Sequence, residues 1–251
     1  MAIVNVNGRS FDVDLIAFDK DGTLLDLHHM WGGLAHSWGT MLADAVAEPV
    51  AFQEALYQTL GYDPETKKVV ANCPLAIASM DKLFNTVAIV LYQHGVGWVE
   101  AESLLRERLM PAFEQFPPAE LVQPLGVVAP TIRALAASGI RIAVITTDSR
   151  QPALKALPVL EIANEVEILV CGDDPIPGKP LPDGLLHIGR ETGVAPSRML
   201  MVGDSKSDLM CGRAAGAAGC IGVRGGAGKT ADLEKHGDAV VDSIAEIQLL
   251  V

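Results

Sequence analysis

From Gly126 onward the chain alternates short apolar runs with helix-period segments, and this rhythm limits its folding more than any other feature. TIRALAAS predicts a helix that stops at Gly139, followed by a strand over IRIAVI. A helix over 152–157 leads to the strand EILVCGDD, and the helix DGLLHIGRETG leads to the strand RMLMVGD. The helix SDLMCGRAAG, the strand CIGV, a helix over 230–235, the short strand AVVD and a final helix from Ser243 complete the series. Strands alternating with helices of this length build a parallel sheet covered on both faces. The fold class is therefore α/β, a doubly wound parallel sheet. Upstream, LIAF (15–18) is apolar at every position, as a strand buried on both faces must be. The opening IVNVNGRSFDV predicts a hairpin turning at Asn7-Gly8.

The rhythm is broken between His28 and Phe116. Trp31, Leu34, Ala35, Trp38, Met41, Leu42 and Ala45 recur at helical spacing, as do Phe52, Ala55, Leu56 and Leu60. Met80, Leu83, Phe84, Val87 and Leu91 form a third stripe, and Trp98, Ala101, Leu104, Leu105 and Leu109 a fourth. No strand signal stands out inside this block, and FPPAELVQPLG bounds its far side. The organisation predicted is an α/β core of residues 1–26 and 123–251, with an α-helical insert over 27–122.

Hydrophobic residues are 49% of the 251, enough for a large packed core, and aromatics only 5%, so that core is aliphatic. The net charge of −12 argues against nucleic acid or an anionic membrane as partner, since both need a basic surface. Cys73, Cys171, Cys211 and Cys220 show no C-x-x-C pair and read as reduced thiols of a cytoplasmic protein. The N-terminal stretch lacks the basic start and apolar run of a signal peptide.

In an open parallel sheet, ligands bind beyond the carboxyl ends of the strands. There the chain places Asp19-Lys20-Asp21, then Thr146-Thr147, then Asp204 with Asp208 one helical turn further on; Lys179 stands in the loop after EILVCGDD. Two carboxylates about 4 Å apart repel by about 4 kcal/mol at an effective dielectric near 20, so a cation is expected among them. Asp19, Asp21, Asp204 and Asp208 supply hard oxygen ligands, which suit Mg²⁺. Thr146 offers a hydroxyl donor, Thr147 competes with it, and Lys179 is a point charge suited to a phosphoryl oxygen. Gly22 lets the backbone N–H groups of the turn after Asp19 complete a phosphate cradle.

The elements DKDGT, VITT, GKP and VGDSKSD, in this order, resemble the haloacid dehalogenase superfamily, whose members are mostly phosphatases. The resemblance covers the residues around Asp19 and everything from about Leu125 onward. It implies that Asp19 is the nucleophile that forms an aspartyl-phosphate and that Asp21 is the general acid and base. It implies further that the Asp19 side chain, the Asp21 backbone carbonyl and Asp204 hold Mg²⁺, with Asp208 holding a metal-bound water or Lys179. The insert resembles the helical cap of phosphoglycolate phosphatase-like members. The activity implied is a Mg²⁺-dependent phosphatase acting on a small phosphorylated metabolite.

A sugar phosphomutase uses the same motifs and stands as the alternative, and a non-catalytic phospho-ligand-binding protein as a third reading. A dehalogenase has no need of Mg²⁺ or of Asp21, and a phospho-acceptor signalling domain would be about half this length. GGAGKT (225–230) misses a P-loop by one residue, since Val223 stands where the first glycine is required; it reads as a loop leading into a helix. Lys20 is expected to point away from the phosphate, His28 and His29 to be solvated hinge residues, and Asp173 and Asp174 to be turn residues.

Overall fold

The computed structural model describes residues 2–111, 119–226 and 228–250. It divides into two compact units: one of Met1–Asp26 with Val122–Val251, the other of Leu27–Leu121. The first opens with the hairpin of β1 (Ala2–Val6) and β2 (Arg9–Val13). Asn7 and Gly8 turn it at φ values of 50° and 82°, the left-handed pair that a tight two-residue turn between twisted strands requires. β3 (Leu15–Phe18) follows and is buried at all four positions.

The helical unit packs the helices Leu27–Leu42, Pro49–Leu60, Met80–Gln93 and Trp98–Leu104, the last running on into a five-residue π turn, Leu105–Leu109. Trp31, Leu34, Ala35, Trp38 and Leu42 are buried along the first helix, Phe52, Leu56 and Leu60 along the second, and Leu83, Val87 and Leu91 along the third. The fourth stripe buries Ala101, Leu105 and Leu109 but leaves Trp98 out. That ring is 42% exposed, stands edge-on to Tyr92 and donates from Nε1 to Glu102 at 3.0 Å. The end of the block expected at Phe116, with the first residues of FPPAELVQPLG, lies outside the described residues.

Two expectations fail inside this unit. The block does contain strands, β4 (Tyr62–Asp63) and β5 (Lys68–Val69), paired antiparallel. Asp63 Oδ1 accepts from the Glu65 and Thr66 N–H groups and closes the turn between them. Strands of two residues are too short to show a period, so only the turn chemistry of DPET betrays them. His28 is also not a solvated hinge residue: its Nδ1 accepts from the Val69 N–H at 3.1 Å and ties the first helix to β5. His29 is half-buried, 3.2 Å from the Glu120 carbonyl.

The remaining strands are β6 (Arg141–Ile145), β7 (Val166–Val170), β8 (Met199–Gly203), β9 (Gly219–Val223), β10 (Ala239–Val241) and β11 (Gln248–Leu250). β6 to β10 join β3 in one six-stranded sheet in the order β10-β9-β8-β3-β6-β7, parallel throughout. Its helices include Arg150–Val159, Asp183–Thr192, Lys206–Ala215 and Thr230–His236. On one face Leu15, Ala17, Ala143, Ile145, Met199 and Met201 pack with Leu185, Ile188 and Leu209 as a fully buried aliphatic cluster. All four cysteines are buried and free.

The helix expected from Ser243 is a single 3-10 turn, Ile244–Glu246, and the chain then extends into β11, antiparallel to β1. Ser243 accepts from the Ala245 N–H and Glu246 accepts from the Ser243 N–H. This is the signature of a helix start, but the open edge of β1 takes the following residues as a strand. Among the described residues no helix is long and apolar enough to cross a membrane.

Candidate active site

β3 is central, and its register places three chain segments at one edge of the sheet. Phe18 lies opposite Val144 on one side and Val202 on the other. Asp19 is therefore level with the last residues of β6 and β8, with Thr146 and Asp204 one step beyond. The Asp19 N–H donates to the Val202 carbonyl at 2.8 Å and the Thr146 N–H to Val170 at 2.9 Å, so the strand ladders reach into the site. Asp19, Thr146, Asp204 and Asp208 are all buried.

After Asp19 the chain folds back at once. The Leu24 and Leu25 N–H groups both donate to the Lys20 carbonyl at 2.9 Å, and the Gly22 N–H donates to Leu25 at 2.7 Å. Gly22 sits at φ 88°, and a Cβ there would lie 2.7 Å from Asp204 Oδ2; one on Gly226 would collide with the same oxygen. The Asp204 carboxylate is thus laid against two glycine backbones, and no other residue fits at either place.

Lys179 reaches the sheet edge from the loop before the helix Asp183–Thr192. Its Nζ lies 2.5 Å from Asp19 Oδ1, 2.5 Å from Asp208 Oδ1 and 3.1 Å from the Ile145 carbonyl, with the side chain 3% exposed. Burial works against its charge, but Asp19 and Asp208 outweigh burial and hold the ammonium well above the ordinary lysine range. Burial pushes the Asp19 carboxyl up to about 7; Lys179 opposes that rise, and Asp208 and Asp21 add to it.

Asp208 is occupied on both oxygens. Oδ2 accepts from the Ser205 N–H at 2.9 Å and the Ser205 hydroxyl at 2.5 Å, capping the helix Lys206–Ala215, and Oδ1 faces Lys179. One oxygen each from Asp19, Asp204 and Asp208 lie within 4.8 Å of one another. Three clustered buried carboxylates, of which Lys179 pairs with Asp19 and Asp208, carry more negative charge than one ammonium offsets, and hard oxygens at this spacing fit a divalent cation of the Mg²⁺ type.

Of the remaining expected residues, Thr146 is buried and its Oγ1 accepts from the Asp148 N–H at 3.1 Å, whereas Thr147 is exposed and its carbonyl packs against Gly172. A cavity of about 160 Å³ opens beside them, lined by Thr146, Thr147, Cys171, Gly172 and Lys179 among others. Asp173 and Asp174 bind Arg150, which donates from its backbone to Asp173 and from its guanidinium to both oxygens of Asp174. The segment 225–230 leads into the helix Thr230–His236, with Ala227 outside the described residues.

One residue escaped the sequence reading. Asp148 is buried, with Oδ2 at 3.3 Å from Lys20 Nζ, and Lys20 in turn contacts Asp21 at 2.8 Å. The available signal is a lysine held between two aspartates directly after the fully buried β3, because a buried ammonium demands partners.

Residues 13–216 match the family of haloacid dehalogenase-like hydrolases. The chain belongs to that family. The hydrolase is 32% identical over 214 residues to the phosphoglycolate phosphatase of Shigella boydii, an alignment covering 84% of this chain and 81% of the relative. Among solved structures, a predicted phosphoglycolate phosphatase from Haemophilus somnus superposes with a TM-score of 0.69 at 21% identity, covering 94% of this chain and 96% of the other. A haloacid dehalogenase family hydrolase from Deinococcus radiodurans, with bound phosphate and sodium, gives 0.64 at 21% identity, covering 94% and 93%. At these identities the two structures bear on the fold, and the hydrolase shares its α/β sheet architecture with them.

Proposed function

We propose that this hydrolase is a Mg²⁺-dependent phosphatase of a small phosphorylated metabolite, working through an aspartyl-phosphate on Asp19. The observation that carries the reading is the placement of a buried Asp19 carboxylate within 2.5 Å of Lys179 and beside Asp204 at the end of the central strand. Asp19, Asp204 and the backbone carbonyl of Asp21 are the groups assigned to hold the cation. Asp208, with both oxygens occupied by Ser205 and Lys179, is assigned to fixing Lys179. Bound Mg²⁺ would offset the carboxylate charge and polarise the phosphoryl oxygens.

In the first step an Asp19 oxygen attacks phosphorus while the bond to the leaving oxygen breaks, and Asp21 gives that oxygen its proton. In the second, water attacks the phosphorus of the acyl phosphate, the Asp21 carboxylate takes the water's proton, and inorganic phosphate leaves with Asp19 regenerated. Lys179 and the Thr146 hydroxyl hold phosphoryl oxygens, with Thr147 at the mouth of the adjoining cavity. Residues 27–122 are assigned as the cap domain.

The Shigella relative's name makes phosphoglycolate the first ester to try. Phosphate release should be measured on phosphoglycolate, p-nitrophenyl phosphate and a hexose 1-phosphate, each with Mg²⁺ and with chelator. Release that requires Mg²⁺ is the expected result. Silence on every ester overturns the reading, and an isomer in place of free phosphate from the hexose ester replaces it with a phosphomutase.

A further inference from the structure

We propose that Lys20, anchored by Asp148, is a positioning residue that holds the Asp21 carboxylate in place for proton transfer; the inference rests on the acid–base role assigned to Asp21 above. Lys20 is fully buried, and its Nζ lies 2.9 Å from Asp21 Oδ1 and 2.8 Å from Oδ2. Near-equal contact to both oxygens fixes the carboxylate as a unit and restrains its rotation. The third partner is Asp148, at 3.3 Å, with its side chain 5% exposed.

Asp148 is itself held from two sides. Its Oδ1 accepts from the Ser149 N–H at 2.8 Å, and its backbone N–H donates to Thr146 Oγ1 at 3.1 Å. A continuous chain of contacts thus runs Thr146, Asp148, Lys20, Asp21, from a residue assigned to phosphate to the residue assigned to proton transfer. It parallels the other buried lysine of the site, Lys179, which stands between Asp19 and Asp208. A surface lysine is a mobile charge on a flexible stem; here the stem is enclosed, so the ammonium is a fixed point. Proton transfer is sensitive to small displacements of donor from acceptor, so fixing Asp21 contributes to rate without touching the phosphoryl group.

The test separates leaving groups. At saturating Mg²⁺, kcat/KM should be measured on phenyl phosphate, whose leaving oxygen needs a proton, and on 2,4-dinitrophenyl phosphate, whose leaving oxygen does not. The set comprises the parent chain, Lys20→Met, Asp21→Asn and the double variant. Lys20→Met is expected to lower kcat/KM about ten- to hundredfold on phenyl phosphate and less than about threefold on the dinitrophenyl ester. In the Asp21→Asn background it should leave the ratio of the two esters unchanged, because the contact no longer has an acid to position.

Equal losses on both esters, or a further change of ratio in the Asp21→Asn background, would reduce Lys20 to a structural charge partner and overturn the proposal. Where Lys20→Met shows no cooperative melt, Asp148→Asn carries the test: a smaller shift in the same direction supports positioning, and an unshifted ratio refutes it. If Asp21→Asn itself leaves the ratio unchanged, the acid–base role of Asp21 fails. If Asp21→Asn shifts the ratio and Lys20→Met does not, only the positioning role fails.

Discussion

Asp19 and Asp208 meet Lys179, with Asp204 close to both carboxylates, and Asp21 and Asp148 meet Lys20, so five carboxylates stand with two ammonium groups at one sheet edge. At the scale of single residues this arrangement is costly, since each buried charge loses hydration that its partners only partly return. Asp19→Asn keeps the shape and removes one negative charge. It should abolish turnover, because an amide oxygen is no nucleophile, yet leave a melting temperature at pH 8 no lower than the parent's. Phosphate release and a thermal melt on the same preparation check both halves, and retained turnover in a clean sample would refute Asp19 as the nucleophile. The motif residues were legible one by one, because each stands where an apolar run ends. Their pairing was not: the contact from Lys20 to Asp148 spans 128 positions and leaves no local pattern.

Among elements, two junctions set the site. Gly203 ends β8 against the first turn of the helix Lys206–Ala215, where an added Cβ would collide with Asp208 Cβ and lie 2.6 Å from its Oδ2. Gly203→Ala should therefore lower stability by about 1–3 kcal/mol through overpacking, read as a lower urea midpoint. It should also weaken activity by displacing the carboxylate that faces Lys179. The other junction is Arg150 to Asp174, which joins the helix Arg150–Val159 to the end of β7. Burial opposes the Asp174 charge, but Arg150 and the Cys171 N–H outweigh burial and hold its carboxyl below the usual range. A depressed carboxyl stabilises above its unfolded value near 3.8 and loses that contribution as pH falls through the folded one. Arg150→Met should then cost about 1 kcal/mol at pH 7, since Arg150 is partly exposed, and progressively less as pH falls below 3.8, compared as denaturation midpoints. Short elements are where sequence reading failed. β4 and β5 are two residues each, and Ser243–Glu246 caps a turn that β1 pulls into a strand; a period needs more residues than these supply.

For the molecule as a whole, with a net charge of −12, the candidate site concentrates negative charge inside an acidic protein. Asp19 has its folded value raised from 3.8 to about 7, so the folded chain binds the proton more tightly and stability falls as pH rises through that window. A divalent cation at the same carboxylates binds only after they ionise. Mg²⁺ should therefore raise the melting temperature relative to chelator, and by more at pH 8 than at pH 5.5; an equal shift at both would contradict the assignment of the cation to Asp19 and Asp204. The α/β class, the parallel strands and the polar strand ends were determined by the sequence itself, since a strand buried on both faces must be apolar along its length and must end where polarity returns. Tertiary structure alone decided which charges meet, that β11 returns to β1, and that the Asp204 carboxylate lies against Gly22 and Gly226. Those contacts join distant segments, and the energies that select them act through space between residues that no local periodicity connects.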